Sequence, residues 1–318
     1  MDKLRLENVT YRYDVGTAFE QTALDDVTLS IEEGKITGII GHTGSGKSTM
    51  MKLLNGLDHP AEGKVYLDGV DLNADKKELL SSSSLFEKYQ NLSKSARKKA
   101  ILSEYADFKK NLCFRVGLVM QYPEYQLFEE TVEKDISFGP KNMGLSEEEI
   151  KKRVREAAML TGVSEDLFEK SPFDLSGGQK RRVALAGVMA MKPEVLVLDE
   201  PAAGLDPRGR NNIFSSIVDY RNQTGSTVII VSHSMEDMAK YCDRVVVMNH
   251  ARVAMEGDRK EVFAHVGELS SMGLDIPEIT RLAELLRERG LPLTDAIYTV
   301  EEATSALLSV FGKGGADR

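Results

Sequence analysis

Between the apolar run Ile36-Thr37-Gly38-Ile39-Ile40 and Met50-Met51-Lys52-Leu53-Leu54 lies the stretch Gly41-His42-Thr43-Gly44-Ser45-Gly46-Lys47-Ser48-Thr49. A buried strand, a glycine-rich turn and a helix start, in that order, are the setting in which G-x-x-x-x-G-K-[ST] forms a phosphate cradle. Glycine adopts backbone conformations that a β-carbon obstructs, so successive N–H groups can converge on one anion at a helix N-terminus. In that geometry Lys47 reaches the β- and γ-phosphates of a nucleoside triphosphate, and the Ser48 hydroxyl faces Mg²⁺. An α/β core built around a nucleotide is the expectation that follows.

Composition narrows the partners. A chain of 318 residues can bury a substantial core in one large domain or two. Its net charge of −9 and pI near 5.3 argue against broad nucleic-acid binding. Cys113 and Cys242 stand far apart and read as ordinary thiols of a reducing compartment. No apolar signal core opens the sequence and no apolar span is long enough to cross a bilayer. A cytoplasmic chain is expected, linked to a membrane only through a partner.

Residues 4–13 alternate apolar and polar groups as a half-buried strand does, and residues 24–31 do so again before a tight turn into the P-loop strand. Together with the short strand 63–69 they predict an antiparallel β-layer. Tyr13 ends the first strand; it packs on its own sheet or offers its π-face to an adenine, and the residues alone favour the former. The polar block 74–112 opens near the serines Ser81, Ser82, Ser83 and Ser84 and holds nine lysines and arginines against five acids. Leu85, Phe86, Tyr89, Leu92, Ile101, Tyr105 and Phe108 recur at helical spacing, predicting one or two amphipathic helices after a serine linker. This reads as an inserted solvated hairpin without a catalytic part, partner docking being the alternative. Strand character returns over 113–120 and stops at Gln121, and Pro123 prevents a regular helix from following. Helical periodicity resumes over 147–160, with Ser146 as N-cap and Glu149 completing a capping box.

Leu175-Ser176-Gly177-Gly178-Gln179 then leads into a helix expected over 180–191. A second glycine turn at a helix N-terminus is a second anion site. One chain already has its cradle, so the two sites raise the question of how both meet one nucleotide. Val195-Leu196-Val197-Leu198 has the continuous apolar character of a strand buried on both faces, and it ends in Asp199-Glu200, where open α/β sheets place ligands. Asp199 suits the Mg²⁺ shell, and Glu200 can orient or deprotonate an attacking water. Residues 203–207 form a turn into a helix, and the buried strand 227–232 terminates in His233, which can reach a γ-phosphate. Segments 244–248 and 252–255 read as a hairpin at the sheet edge, and 261–265 closes the core. From about residue 266 the composition changes. Leu274, Ile276, Ile279, Leu282, Leu285 and Leu286 make an apolar helical face, a helix follows over 300–311, and 312–318 reads as a flexible tail.

With Gln121, the LSGGQ run, Asp199-Glu200, the 203–206 turn and His233 in this order, the chain resembles the ATP-binding-cassette (ABC) ATPase family over residues 3 to about 265. That resemblance implies an α/β P-loop NTPase fold of the ABC type, with an antiparallel β-subdomain, a helical subdomain over about 123–190 and a small C-terminal helical extension over 266–318. It also implies a head-to-tail dimer with two ATPs sandwiched between subunits. ATP would be bound by Gly41, His42, Thr43, Gly44, Ser45, Gly46, Lys47, Ser48 and Thr49 of one subunit. Ser176, Gly177, Gly178 and Gln179 of the other subunit would complete the site. By the same resemblance Tyr13 stacks on the adenine, and Ser48, Gln121 and Asp199 attend Mg²⁺. Glu200 is the catalytic base, His233 contacts the γ-phosphate beside Lys47, Gln121 relays nucleotide state to a membrane partner, and Asp206 lies in a turn crossing the interface.

The run 121–142, Gln-Tyr-Pro-Glu-Tyr-Gln-Leu-Phe-Glu-Glu-Thr-Val-Glu-Lys-Asp-Ile-Ser-Phe-Gly-Pro-Lys-Asn, looks like the cobalt-type ATPases of energy-coupling factor importers, in particular the second of their two ATPase paralogues. This finer resemblance implies uptake of vitamins or transition-metal ions at the cytoplasmic face of a cell membrane. The partners implied are a second, paralogous ATPase, a transmembrane coupling protein and a substrate-binding membrane subunit. A conventional ABC importer or exporter ATPase shares every catalytic motif and is the alternative; a soluble cassette protein usually carries two motif sets where this chain has one. The block 74–112 is longer than that group leads one to expect.

Overall fold

The computed structural model of the chain describes residues 2–81, 83–293 and 296–313. β1 (Asp2–Tyr13) pairs antiparallel with β2 (Gln21–Glu32), β3 (Ile36–Gly41) runs through the P-loop into α1 (Lys47–Asn55), and β4 (Glu62–Leu67) and β5 (Val70–Asp71) return beside β1. Next come α2 (Lys76–Leu79), α3 (Ser84–Lys88), α4 (Lys94–Arg115) and β6 (Val116–Val119), then a packed layer of α5 (Val132–Asn142), α6 (Glu147–Thr161) and α7 (Gly177–Met189). The order continues with β7 (Val195–Asp199), α8 (Pro207–Thr224), β8 (Thr227–Val231), α9 (Met235–Tyr241), β9 (Arg244–Asn249) and β10 (Arg252–Asp258). Four helices follow: α10 (Arg259–Ala264), α11 (Val266–Ser271), α12 (Glu278–Glu288) and α13 (Val300–Lys313).

Two sheets result, an antiparallel one in the order β2-β1-β4-β5 and a larger one in the order β10-β9-β3-β8-β7-β6. In the larger sheet β9, β3, β8, β7 and β6 run parallel, and β10 closes one edge antiparallel to β9. Every residue of β3, β7 and β8 is buried, as a parallel sheet covered on both faces requires. Side chains of successive strand residues point to opposite faces, so these strands feed two cores. Ile36, Ile40, Leu196, Leu198, Val228 and Ile230 join the helices on one face. Ile39, Val195, Val197, Ile229 and Val231 join α1 and the antiparallel sheet on the other.

Local structure departs from the sequence reading where tertiary contacts override it. The expected strand 113–120 is only Val116–Val119, because α4 runs on to Arg115. Leu112 packs beneath Gly56, and the Arg115 guanidinium is clamped by Glu194 at 2.7 and 2.8 Å, which holds the last helical turn in place. The serines are not merely a linker: the Ser83 hydroxyl accepts from the Phe86 N–H at 3.0 Å and caps α3, whereas Ser82 lies outside the described residues. The insertion has a small core of its own around Leu79, Leu85 and Ile101. Ser146 caps α6, but Glu149 does not complete a capping box; its carboxylate accepts from Arg153 Nε at 2.7 Å instead. α7 begins at Gly177 and ends at Met189, so the glycines expected in a preceding turn form the first helical turn. Leu274 and Ile276 do not extend the α12 face; they precede that helix and are buried in the main core with Leu269 and Tyr298. Residues 314–318 of the expected tail lie outside the described residues.

One polar cluster secures the N-terminal edge of the large sheet. Glu194, just before β7, receives Lys3 Nζ at 2.6 Å and the Arg115 fork, and Asp68 takes a second bond from Lys3 at 3.0 Å. The Arg115 bonds, and then those of Lys3, outweigh burial and hold the Glu194 carboxyl down to about 2 from 4.5. A depressed carboxyl contributes stability above its unfolded value and loses it as pH falls through its folded value, here from about pH 4.5 towards 2. The Glu194 side chain is 42 % exposed, so water screens much of the full linkage energy. Glu194→Gln is expected to lower stability by about 1 kcal/mol at neutral pH. The gap from the parent protein should close below pH 4.5, as read by urea unfolding of both proteins across that range.

Candidate nucleotide site

The parallel register brings the C-terminal ends of β3, β7 and β8 to one edge, with Ile39 beside Val231 and Val231 beside Asp199. From that edge the loop after β3 turns into α1 through Gly46, whose left-handed φ of 101° makes it the N-cap of the helix. A β-carbon there would run into the Ala23 carbonyl, so the loop conformation and the neighbouring β2 both require glycine. Lys47 lies over the loop, donating to the carbonyls of Gly41 at 2.6 Å and His42 at 2.7 Å. Burial lowers its pKa, and the nearby Glu200 and Asp199 oppose that shift. Thr49, inside α1, shares a 3.0 Å hydrogen bond with the Tyr13 hydroxyl, which ties the end of β1 to the P-loop helix.

Asp199 is the last residue of β7. Burial, then the neighbouring Glu200 charge, raises its pKa to about 6, against the pull of Lys47 and a hydrogen bond from Ser48. Glu200 leaves the strand with φ of 48° and donates its N–H to the Val231 carbonyl at 2.9 Å. Few side chains adopt that left-handed conformation, and here it aims the carboxylate back across the strand ends. Its Oε1 meets His233 Nδ1 at 2.7 Å, and its Oε2 accepts from the Ser232 hydroxyl at 3.1 Å.

Gly41, His42, Thr43, Gly44, Gly46, Lys47, Ser48, Gln121, Asp199, Glu200 and His233 all line one cleft of about 670 Å³. The hydroxyl of Ser48, the carboxylate of Asp199 and the amide of Gln121 give that cleft hard oxygen donors. Among the described residues no group of three or more His, Cys, Asp or Glu could hold a metal unaided. One carboxylate with a hydroxyl, completed by phosphate oxygens and water, is how Mg²⁺ is held, so the donor set fits that ion.

Ser176, Gly177, Gly178 and Gln179 are not among the residues lining this cleft. Ser176 caps α7: its hydroxyl accepts from Gln179 N–H at 3.4 Å, while Gln179 Oε1 accepts from Ser176 N–H at 2.9 Å. A β-carbon on Gly177 would meet nothing within 4 Å. The first turn of α7 therefore lies outside the cleft, capped by Ser176 and open around Gly177.

Several participants escape sequence reasoning. Arg181, with a side chain 3 % exposed, forks onto Glu124 at 3.1 and 2.9 Å and donates to the Ala203 carbonyl. It joins the segment after Gln121, the helix after the glycines, and the 203–206 turn, where Asp206 accepts from Gly209 N–H at 2.8 Å to cap α8. His42 bonds through Nε2 to the Met272 carbonyl, and Gly273, Leu274 and Asp275 line the cleft beside it. No spacing links positions 42 and 272, and only the fold brings them together.

The chain is similar to known proteins over nearly all of its length. A model of the ABC transporter family matches residues 24–203. The chain is 47 % identical over 305 residues to the energy-coupling factor transporter ATP-binding protein EcfA2 of Caldanaerobacter subterraneus, covering 96 % of both chains. It is 47 % identical over 309 residues to the EcfA2 protein of Clostridium tetani, covering 97 % of both. Among solved structures, cbiO1 from Clostridium perfringens, described as part of the transporter complex cbiONQ, superposes with a TM-score of 0.67 at 37 % identity over 89 % of this chain and 99 % of that one. A cassette solved as a dimer in a post-hydrolysis state with ADP and Pi gives a TM-score of 0.62 at 27 % identity, covering 80 % of this chain and 98 % of the other.

Lys47→Ala removes the only side-chain ammonium among the residues lining the cleft. A charge-assisted bond to phosphate is worth about 1.5–3 kcal/mol, so ATP affinity measured by calorimetry should fall about 10- to 100-fold. Tyr13→Phe loses the Thr49 bond but keeps the ring and should change affinity little, whereas Tyr13→Ala should weaken it clearly.

Proposed function

Because this chain belongs to the ABC transporter ATPase family and has its P-loop fold, we propose that it is the ATP-hydrolysing subunit of an energy-coupling factor importer, driving uptake of vitamins or transition-metal ions. The observation that carries the mechanism is the split site: a cleft with P-loop, acids and histidine in one place, and a second glycine-rich helix N-terminus, open around Gly177, outside it. Two chains facing head to tail resolve that split. Ser176, Gly177 and Gly178 of one subunit would then donate to the γ-phosphate held by the P-loop of the other. The second subunit in this reading is a paralogous ATPase.

Within each closed site the P-loop N–H groups and Lys47 hold the β- and γ-phosphates, and Tyr13 supports the adenine. Bound Mg²⁺, attended by Ser48, Asp199 and Gln121, would offset negative charge on the phosphate oxygens. Glu200 orients a water in line with the γ-phosphorus and takes its proton as the new P–O bond forms and the bond to the ADP oxygen breaks. His233 leaves Glu200 to contact the γ-phosphate, and the donors from the opposite subunit stabilise charge on the transferring group.

A largely apolar groove of about 410 Å³ supports a transmembrane coupling protein as the membrane partner. It lies between α5, α7 and the end of α4, and Gln126, Leu127, Phe138, Gly139, Val188 and Met191 are among the residues that line it. Among the described residues no helix is long and apolar enough to cross a membrane. An amphipathic helix of the coupling protein laid in this groove would hold the chain at the cytoplasmic face. The segment from Gln121 to Leu127 runs from the cleft to the groove, and Arg181 braces it through Glu124. The substrate itself is read by a separate membrane subunit.

Glu200→Gln should retain ATP binding and closure of the dimer but lose nearly all turnover, on the order of 100-fold or more in a phosphate-release assay of the assembled complex. Turnover at the parent rate would remove Glu200 as the base. Gentle purification from native membranes should bring down a second ATPase and at least two membrane proteins. Recovery with a single pair of exporter-like membrane domains would instead establish the conventional transporter class.

A further inference from the structure

We propose that Ser232 is the positioning residue for the base of the hydrolytic reaction, anchoring one carboxylate oxygen of Glu200 so that the other is free to take the proton. The inference rests on the reading of Glu200 as that base.

The two oxygens of Glu200 have unlike partners. Oε1 meets His233, whose side chain is 77 % exposed at the mouth of the cleft. Oε2 accepts from the hydroxyl of Ser232, a residue only 4 % exposed. The Ser232 hydroxyl also accepts from the Ser234 N–H at 3.1 Å, so its single proton is directed to the carboxylate. Its backbone is fixed as well: the Ser232 N–H donates to the Ile39 carbonyl on the P-loop strand at 3.3 Å. Ser232 is therefore tied to the strand that presents the phosphates, and it holds a carboxylate whose own backbone is tied to β8 through Val231.

This asymmetry divides the work between the oxygens. When the exposed His233 ring turns to the γ-phosphate, Oε1 loses its partner and becomes the acceptor for the water proton. Ser232, buried and fixed, keeps Oε2 in place during that exchange. Without it the carboxylate can rotate about its last bond, in a residue whose backbone already holds φ at 48°, and its alignment with water is lost.

Ser232→Ala, measured in the assembled membrane complex, should lower kcat about 10- to 100-fold while leaving the KM for ATP and ATP binding within about twofold. Ser232→Thr keeps the hydroxyl and should restore most of the rate. Ser234→Ala removes the cap that Asp237 N–H finds at the start of α9, so it should lower thermal stability but keep kcat, separating damage to the turn from loss of positioning. A parent-like kcat in Ser232→Ala, a loss of rate matched by an equal rise in KM, or failure of Ser232→Thr to recover would overturn the inference. The Glu200→Gln variant assayed alongside distinguishes the two failures. If Glu200→Gln is inactive and Ser232→Ala is normal, only the role of Ser232 falls; if Glu200→Gln turns over normally, the base itself is misassigned.

Discussion

Parallel hydrogen bonding between β3, β8 and β7 is the constraint on which the site depends. The ladder aligns Ile39 with Val231 and Val231 with Asp199, so β3 ends at one edge with two strands that lie more than a hundred residues later in the chain. A slip of one residue in any of these pairings would turn its apolar side chains to the wrong core, because the strands feed a different core with each successive residue. The same packing that excludes water from the sheet therefore sets the spacing between phosphate loop and carboxylates. Apolar burial supplies the energy, and the ladder supplies the geometry.

Polar contacts then fix what the sheet leaves loose. Arg181 is buried with its charge engaged by the Glu124 fork and the Ala203 carbonyl, an arrangement that tolerates low exposure because each guanidinium nitrogen has a partner. It connects the anion-binding helix to the segment after Gln121 and to the 203–206 turn. The start of the helix after Ser176 is thus linked, through one side chain, to the segment that leads from Gln121 to the groove between α5 and α7. The Glu194 cluster has a simpler task at the opposite edge, joining β1, the end of α4 and β7 where no sheet hydrogen bonds do so.

The C-terminal extension is less separate than its composition implies. Leu269, Leu274 and Ile276 are buried with the helices of the main core, and Tyr298 donates to the Lys260 carbonyl at 3.0 Å. Only Ala283, Leu293, Ile297 and Ala303 form a small cluster of their own. The chain between α11 and α12 consequently runs beside the P-loop, where the Met272 carbonyl meets His42 and Asp275 borders the cleft. A residue inside the phosphate-binding loop thus rests on a segment more than two hundred positions later.

Much of this was legible in the order of residues. The P-loop, the buried strands ending at Asp199 and His233, and the glycines after Ser176 each carry a local signature. Backbone conformation at glycine, apolar runs and helix capping act over a few neighbours, and the sequence alone specifies them. That one chain carries two glycine-rich helix starts was also readable, and the family resemblance, not the residues themselves, implied a head-to-tail dimer as the way both meet one nucleotide. What remained out of reach depends on contacts between distant segments. The helical state of Cys113, Phe114 and Arg115, the Arg181 brace and the grip of Ser232 on Glu200 have no local code. Each is set by which group the fold brings within hydrogen-bonding distance, and a bond between residues 32 or 57 positions apart exists only after the sheet has formed.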